Sequence, residues 1–156
     1  MSTVRTGTPA DYQACADLFL QEVPTPRGYA SSTDYIWGRA VSEDAWTDDL
    51  KGYFTGMFDP NLLVVAYEGD RLVGFGWCWI EHLDNPTAVP LEDVVVDSEY
   101  RLQGVGRAIV EEMARLLGER GIHGMVAEIS VSNQRLIDKV VELGFKPASL
   151  QLLWHS

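Results

Sequence analysis

The sequence predicts a layered α/β fold built on a mixed sheet, and three observations carry that prediction. Strand-like and helix-like stretches alternate along the chain. Two strand-like runs, Leu62 to Tyr67 and Arg71 to Ile80, flank Glu68-Gly69-Asp70, a short hairpin signal. The stretch from Leu91 to Val131 then reads as strand, helix, strand, long enough for a right-handed parallel crossover between neighbouring strands.

Length and composition bound the rest. A chain of 156 residues fits one domain, expected to span residues 1–156. It is 46% hydrophobic, yet no stretch reaches the roughly 18 apolar residues that a membrane span requires. Asp11, Gln13 and Asp17 interrupt the apolar segment nearest the N-terminus, so no signal peptide is expected and the protein is read as cytoplasmic. A net charge of −11 argues against a nucleic-acid surface; it slightly favours a cationic ligand drawn in by the field, and more readily marks a merely soluble protein. Cys15 and Cys78 have no metal spacing and read as small buried hydrophobes, while His82, His123 and His155 are scattered, so no metal is expected.

Taken in order, Thr3 to Arg5 makes a short first strand. Thr8 can cap a helix with Pro9 at its first position and Asp11 at its positive end, and Tyr12, Cys15, Ala16 and Phe19 form its apolar stripe before Pro24. Residues Pro24 to Ser42 make a long, irregular connection carrying Tyr29, Tyr35 and Trp37, read either as a functional lid or as aromatics closing over the core. A second helix is expected from near Ser42 to about Phe58, weakened by Gly52 and Gly56. In the hairpin's second strand, Phe75, Trp77 and Trp79 share one face and Gly74, Gly76 and Cys78 the other. The bare face invites close packing of a helix, or less readily a ligand. Pro86 and Pro90 mark an irregular passage into the central strand.

That strand opens the most informative stretch. Val94, Val95 and Val96 are β-branched and suit a strand covered on both faces. Val105, Ile109, Met113 and Leu116 then recur at helical spacing, with Arg107, Glu111, Glu112 and Arg115 off the stripe, so the helix begins at or just before Gly104 and Gly106. A helix start carries unpaired N–H groups and partial positive charge, and glycines without Cβ atoms would let a phosphate sit close, flanked by Arg101 and Arg107. The alternative is a tight turn that needs glycine only for its backbone angles. Ile109 stands where a dinucleotide fingerprint needs its third glycine, and no Gly-Lys-Ser/Thr follows to make a P-loop.

Beyond this helix, ended by Gly121, a strand is expected from His123 to Val131. A helix capped by Ser132 or Asn133 follows, with Leu136, Ile137, Val140, Val141 and Leu143 on its apolar face and Gly144 at its end. Pro147 to His155 can supply a final strand.

Arg101-Leu102-Gln103-Gly104-Val105-Gly106 resembles the Q/R-x-x-G-x-G/A signature of the GCN5-related N-acetyltransferases, or GNATs. The string Leu-Glu-Asp-x-x-Val-x-x-x-Tyr-Arg is similar to the same region in their polyamine and aminoglycoside branches, and Asn133 with Leu-Gly-Phe resembles a second family motif. The specific part of the resemblance covers residues 91–110 and 133–145. It implies a mostly antiparallel mixed sheet with helices on both faces and a central parallel pair splayed around acetyl-CoA. Residues Arg101 to Arg107 would bind the pyrophosphate, with Asn133 along the CoA arm. The resemblance also implies an acceptor site walled by the region of Tyr35 and Trp37, often a bulge in the central strand, and commonly a homodimer. Two departures stand out: Leu102, where many members have glycine, and Val140, where many have the tyrosine that protonates the leaving thiolate.

Acetyl transfer to an amine needs an uncharged nitrogen, and an aliphatic amine with a pKa of about 10.4 is almost wholly protonated at neutral pH. A carboxylate near it can anchor the cation and accept its proton. Glu92 and Asp93 interrupt an apolar strand just before the presumed cofactor site, with Glu92 favoured as base or anchor and Asp93 as second anchor; a solvated strand start is the plainer reading. Backbone N–H groups around Val94, Val95 and Val96 would hold the thioester and pantetheine arm. Ser132, Tyr35 or water could replace the missing tyrosine, or the thiolate could leave unaided. The expectation is therefore an acetyl-CoA-dependent N-acetyltransferase of small cationic amines. The alternatives are a protein N-terminal or lysine acetyltransferase, or a CoA-binding module without turnover.

Overall fold

The computed structural model describes residues 2–22, 61–129, 131, 133–150 and 152. The expected helix of residues 42–58, with Tyr35, Trp37 and Ser132, lies outside them. Among the described residues, five strands form one sheet in the order β1-β2-β3-β4-β5: β1 Thr3–Thr6, β2 Leu62–Glu68, β3 Arg71–Cys78, β4 Ala88–Val96 and β5 Gly124–Ala127. The first four pair antiparallel, and β4 and β5 pair parallel. The described helices are α1 Tyr12–Glu22, α2 Val105–Glu119 and α3 Gln134–Glu142.

The side-chain alternation of β3 decides how the helices cover the sheet. Phe75 and Trp77 join Cys15, Leu18 and Phe19 of α1 in one buried cluster, whereas Cys78 faces the cluster containing Val105, Ile109 and Met113 of α2. The bare face serves helix packing. A Cβ built on Gly74 would lie 2.9 Å from Ile109 Cδ1, and one on Gly76 would lie 2.9 Å from Ile109 Cγ2 and 3.1 Å from Met113 Sδ. The glycines thus let α2 approach β3 more closely than any side chain would allow. Leu117, rather than Leu116, completes the fully buried stripe of α2.

Three elements differ from their sequence-based bounds. Pro90 lies inside β4 rather than before it, opposite Val126, and its carbonyl accepts the Trp79 N–H at 3.0 Å. The strand expected over residues 123–131 is only Gly124–Ala127, because the parallel ladder stops at the Leu91–Ala127 pair. Residues 147–150, the start of the expected last strand, are irregular, and most of the remainder lies outside the described residues.

Asp11, expected only to favour the positive end of a helix, is 3% exposed and acts as a hub. It accepts two hydrogen bonds of 2.8 Å from the Arg5 guanidinium, one from Thr8 N–H and one from Tyr67 O–H, tying β1 and β2 to the 3₁₀ turn that leads into α1. The Arg5 hydrogen bonds hold its carboxyl well below the usual range against the opposing effect of burial, and the Tyr67 phenol is pushed up to about 12 by burial first and by Asp11 second. A depressed carboxyl contributes stability above its unfolded pKa of about 3.9 and loses it as the pH falls through the folded value. Asp11→Asn should therefore cost about 2–3 kcal/mol at neutral pH, and less in acid, in urea unfolding followed by circular dichroism.

Candidate active site

The site grows from β4. Opposite β3, Trp77 pairs with Asp93 and Cys78 with Leu91, which leaves Glu92 as the extra residue of a β-bulge. The bulge shifts the alternation: Leu91 and Val94 both pack toward α2, while Asp93 lies on the α1 face, where its Oδ2 accepts the Trp77 indole N–H at 3.1 Å. Trp79 packs edge-on against Trp77 on that face at 5.7 Å between centroids. Asp93 is half-buried and fixed from the core, whereas Glu92 is exposed. Cys78 is buried beside them, its thiol pushed up to about 12 by burial and then by the charge of Glu92.

Glu92 also stands where β4 loses its parallel neighbour. From there to Val96 the strand pairs, among the described residues, only with β3, which opens its other edge. Asp97 N–H donates to Val73 O at 3.0 Å, and antiparallel alternation then assigns the N–H groups of Val95 and Asp93 to the β3 ladder and those of Val94 and Val96 to the open edge. Of the three valines expected to offer N–H groups to a ligand, Val95 is thus committed to the sheet.

Strand β4 leads through a 3₁₀ turn, Ser98–Tyr100, to the glycines. Helix α2 starts between them, with Gly104 as its N-cap at φ 87°. Leu102 is also left-handed, at φ 63°, although it is a leucine and 89% exposed. The departure from the family's usual glycine is therefore a strained residue, unfavourable by about 1–2 kcal/mol. Leu102→Gly should raise stability by about 0.5–1 kcal/mol after the entropy of the added glycine, read from the denaturant midpoint.

The two glycines have different reasons to be glycine. Gly104 needs its positive φ, and among the described residues a Cβ there would meet nothing within 4 Å. Gly106 has no left-handed φ, and its Cβ would make only an ordinary 3.5 Å contact with Val96 Cγ2. Among the described residues neither backbone nor packing requires glycine at 106, which leaves the space before the first N–H groups of α2, beside β4, as the feature it preserves. No acidic residue occupies the first turn of α2, so the positive end of the helix is uncompensated from within.

The expected phosphate arginines are both engaged by protein. Arg101 is ion-paired with Glu22 and donates to Val96 O at 3.3 Å; Arg107 donates to Glu142 O at 2.9 Å and lies 3.8 Å from Glu111. Gln103 donates to Glu99 O at 2.9 Å. Backbone N–H groups, rather than the two guanidinium groups, remain as the turn's donors. Asn133 caps α3, its side chain accepting Leu136 N–H at 3.2 Å, and Val140 lies half-buried in that helix. Sequence reasoning missed the left-handed Leu102 and the partners of Arg101, because neither leaves a local pattern. Among the described residues no group of three or more His, Cys, Asp or Glu could hold a metal, and no helix is long and apolar enough to cross a membrane.

A strand that loses its parallel partner, a bulge at the point of parting and a glycine turn feeding a helix start are what the GNAT resemblance implied. The model of the acetyltransferase (GNAT) family matches residues 24–145. The chain belongs to the GNAT family. A mycothiol acetyltransferase of Nocardia farcinica is 27% identical over 62% of this chain and 33% of its own length. The ribosomal protein bS18-alanine N-acetyltransferase of Escherichia coli K12 is 34% identical over 39% of this chain and 41% of its own. The matches thus span about a third to two fifths of these relatives' lengths. Among solved GNAT structures, AAC(6')-Iy in complex with the bisubstrate analogue CoA-S-monomethyl-acetylneamine aligns with a TM-score of 0.70 at 17% identity, covering 100% of this chain and 98% of that one. The Escherichia coli S18-alanine acetyltransferase aligns at 0.69 with 20% identity, over 96% and 80%. At such identities the structural likeness speaks for the fold.

Proposed function

We propose that this chain is an acetyl-CoA-dependent N-acetyltransferase that acts on a primary amine of a small cationic acceptor by direct attack in a ternary complex. The observation that carries this reading is the bulge at Glu92, set where β4 parts from β5, on the strand that leads into the glycine turn. The N–H groups of the turn and of the first residues of α2 would take the pyrophosphate, and those of Val94 and Val96 the pantetheine arm and the thioester carbonyl. Glu92 would anchor the ammonium and then accept its proton, directly or through water, with Asp93 as second anchor. The amine nitrogen bonds to the carbonyl carbon, the C–S bond breaks, and its electron pair leaves on sulfur. With Val140 at the family's tyrosine position no side chain is assigned to protonate that sulfur, and a thiol of pKa about 8.5 is a tolerable leaving group.

The similarity to the S18-alanine acetyltransferase favours a protein N-terminus as the second acceptor class. Thiol release from acetyl-CoA against polyamines, aminoglycosides, amino acids and short alanine-initiated peptides tests both. Turnover with the small amines supports the first reading and turnover with peptides alone the second. Tight CoA binding with no turnover across the panel would favour a binding module.

A further inference from the structure

The strained turn of residues 101–104 is held from outside its own motif. Leucine disfavours the left-handed region, and the exposed Leu102 side chain gains no packing in exchange, so the surroundings must fix this backbone. The fixing begins at Asp97, which is 1% exposed and accepts Arg71 at 2.6 Å and Glu99 N–H at 3.0 Å. Burial alone would raise its carboxyl, but Glu99 N–H, Arg71 and the Gln21 side chain hold it below the usual value. Arg71 also pairs with Glu99 at 2.7 Å and lies 5.3 Å from the Tyr100 ring centroid. The next residue of α1 completes the arrangement: Glu22, with its side chain 8% exposed, accepts Ser98 N–H at 3.0 Å and pairs with Arg101. Every residue from Asp97 to Arg101 is thereby tied to β3 or to the last turn of α1.

We infer that Glu22 is a positioning residue for cofactor binding. By fixing Ser98 and Arg101 it holds Leu102 and Gly104 at the left-handed φ values that keep the turn's N–H groups ready for a pyrophosphate. Arg71 does the same from β3 through Asp97. The inference rests on the reading of this turn as the pyrophosphate cradle, and its test separates the two. Neither residue is expected to touch the ligand. Their effect is preorganisation, so their loss should weaken only those ligands that use the cradle.

Calorimetric titration with CoA and with pantetheine, which shares the arm but lacks the pyrophosphate, reads this directly. Wild type should prefer CoA; equal affinity for the two would overturn the cradle and the inference together. Given that preference, Glu22→Gln should lose CoA affinity about 10-fold, the loss of one charge-assisted tie, with pantetheine affinity unchanged. Adding Leu102→Gly, which removes the strain that the tie restrains, should recover most of the loss. Arg71→Gln gives an independent reading with the same selective signature. Unchanged CoA affinity in both single variants, an equal loss for both ligands, or no recovery by glycine would overturn the positioning role and leave the cradle standing.

Discussion

Gly106→Asp should raise the thermal midpoint of the protein and lower its affinity for CoA on the order of 100-fold. The two effects have opposite signs because they come from one cause. Residue 106 is the second residue of α2, where a carboxylate meets the positive end of the helix and contributes about 0.3–1 kcal/mol, in addition to relieving the helix of a glycine. The fold accepts the side chain, since among the described residues its Cβ meets only Val96 Cγ2 at 3.5 Å. A pyrophosphate bound to the same N–H groups would meet that carboxylate as a like charge and lose hydrogen bonds to it. Were the glycines there only for the turn, CoA binding would be unchanged. Gly104 gives a less clean test, because any side chain at its φ of 87° strains the backbone before a ligand arrives. Differential scanning calorimetry and a CoA titration on the same preparation check both signs.

Glu92→Gln should lower kcat about 100- to 1000-fold while the affinity for CoA stays within about twofold of wild type. Glutamine keeps the size and the hydrogen-bonding reach of the side chain at the bulge but cannot take a proton from the ammonium. Glu92 is exposed and outside the regular β3–β4 ladder, and a circular dichroism spectrum and melt matching wild type would show that the substitution acts on the chemistry. Asp93 differs in this respect. Its hydrogen bond from the buried Trp77 indole makes it a structural group as well, so a loss of activity in Asp93→Asn would mix folding with chemistry. Steady-state rates with the acceptor found by the panel, together with CoA calorimetry, separate the two carboxylates.

Much of this was legible in the chain because periodicity writes packing directly. The period of two in β3 announced a bare face, and Ile109 and Met113 of α2 fill it. Three consecutive valines announced a strand covered on both sides, and Val95 faces α1 while Val94 and Val96 face α2. Adjacent Glu92 and Asp93 posed the question of which one faces a substrate, and the bulge that decides their placement is a matter of register with β3, which no single stretch encodes. Long-range ties were illegible for the same reason. Glu22 and Arg101 are 79 positions apart, and Arg71 and Asp97 are 26 apart, so nothing local marks them as partners. The left-handed Leu102 was hidden by its identity, since leucine gives no sequence signal for a conformation that its neighbours impose.

In the proposed reaction the amine attacks the thioester directly while both substrates are bound. Both cysteines agree with it, being buried with thiols pushed up to about 12, which suits neither as an acyl carrier. Initial rates over a grid of acetyl-CoA and acceptor concentrations distinguish direct attack from a route through an acetyl-enzyme. Direct attack predicts double-reciprocal lines that intersect, with no acetylated protein detected by mass spectrometry when acetyl-CoA is supplied alone. Parallel lines together with a covalent acetyl-enzyme would contradict it.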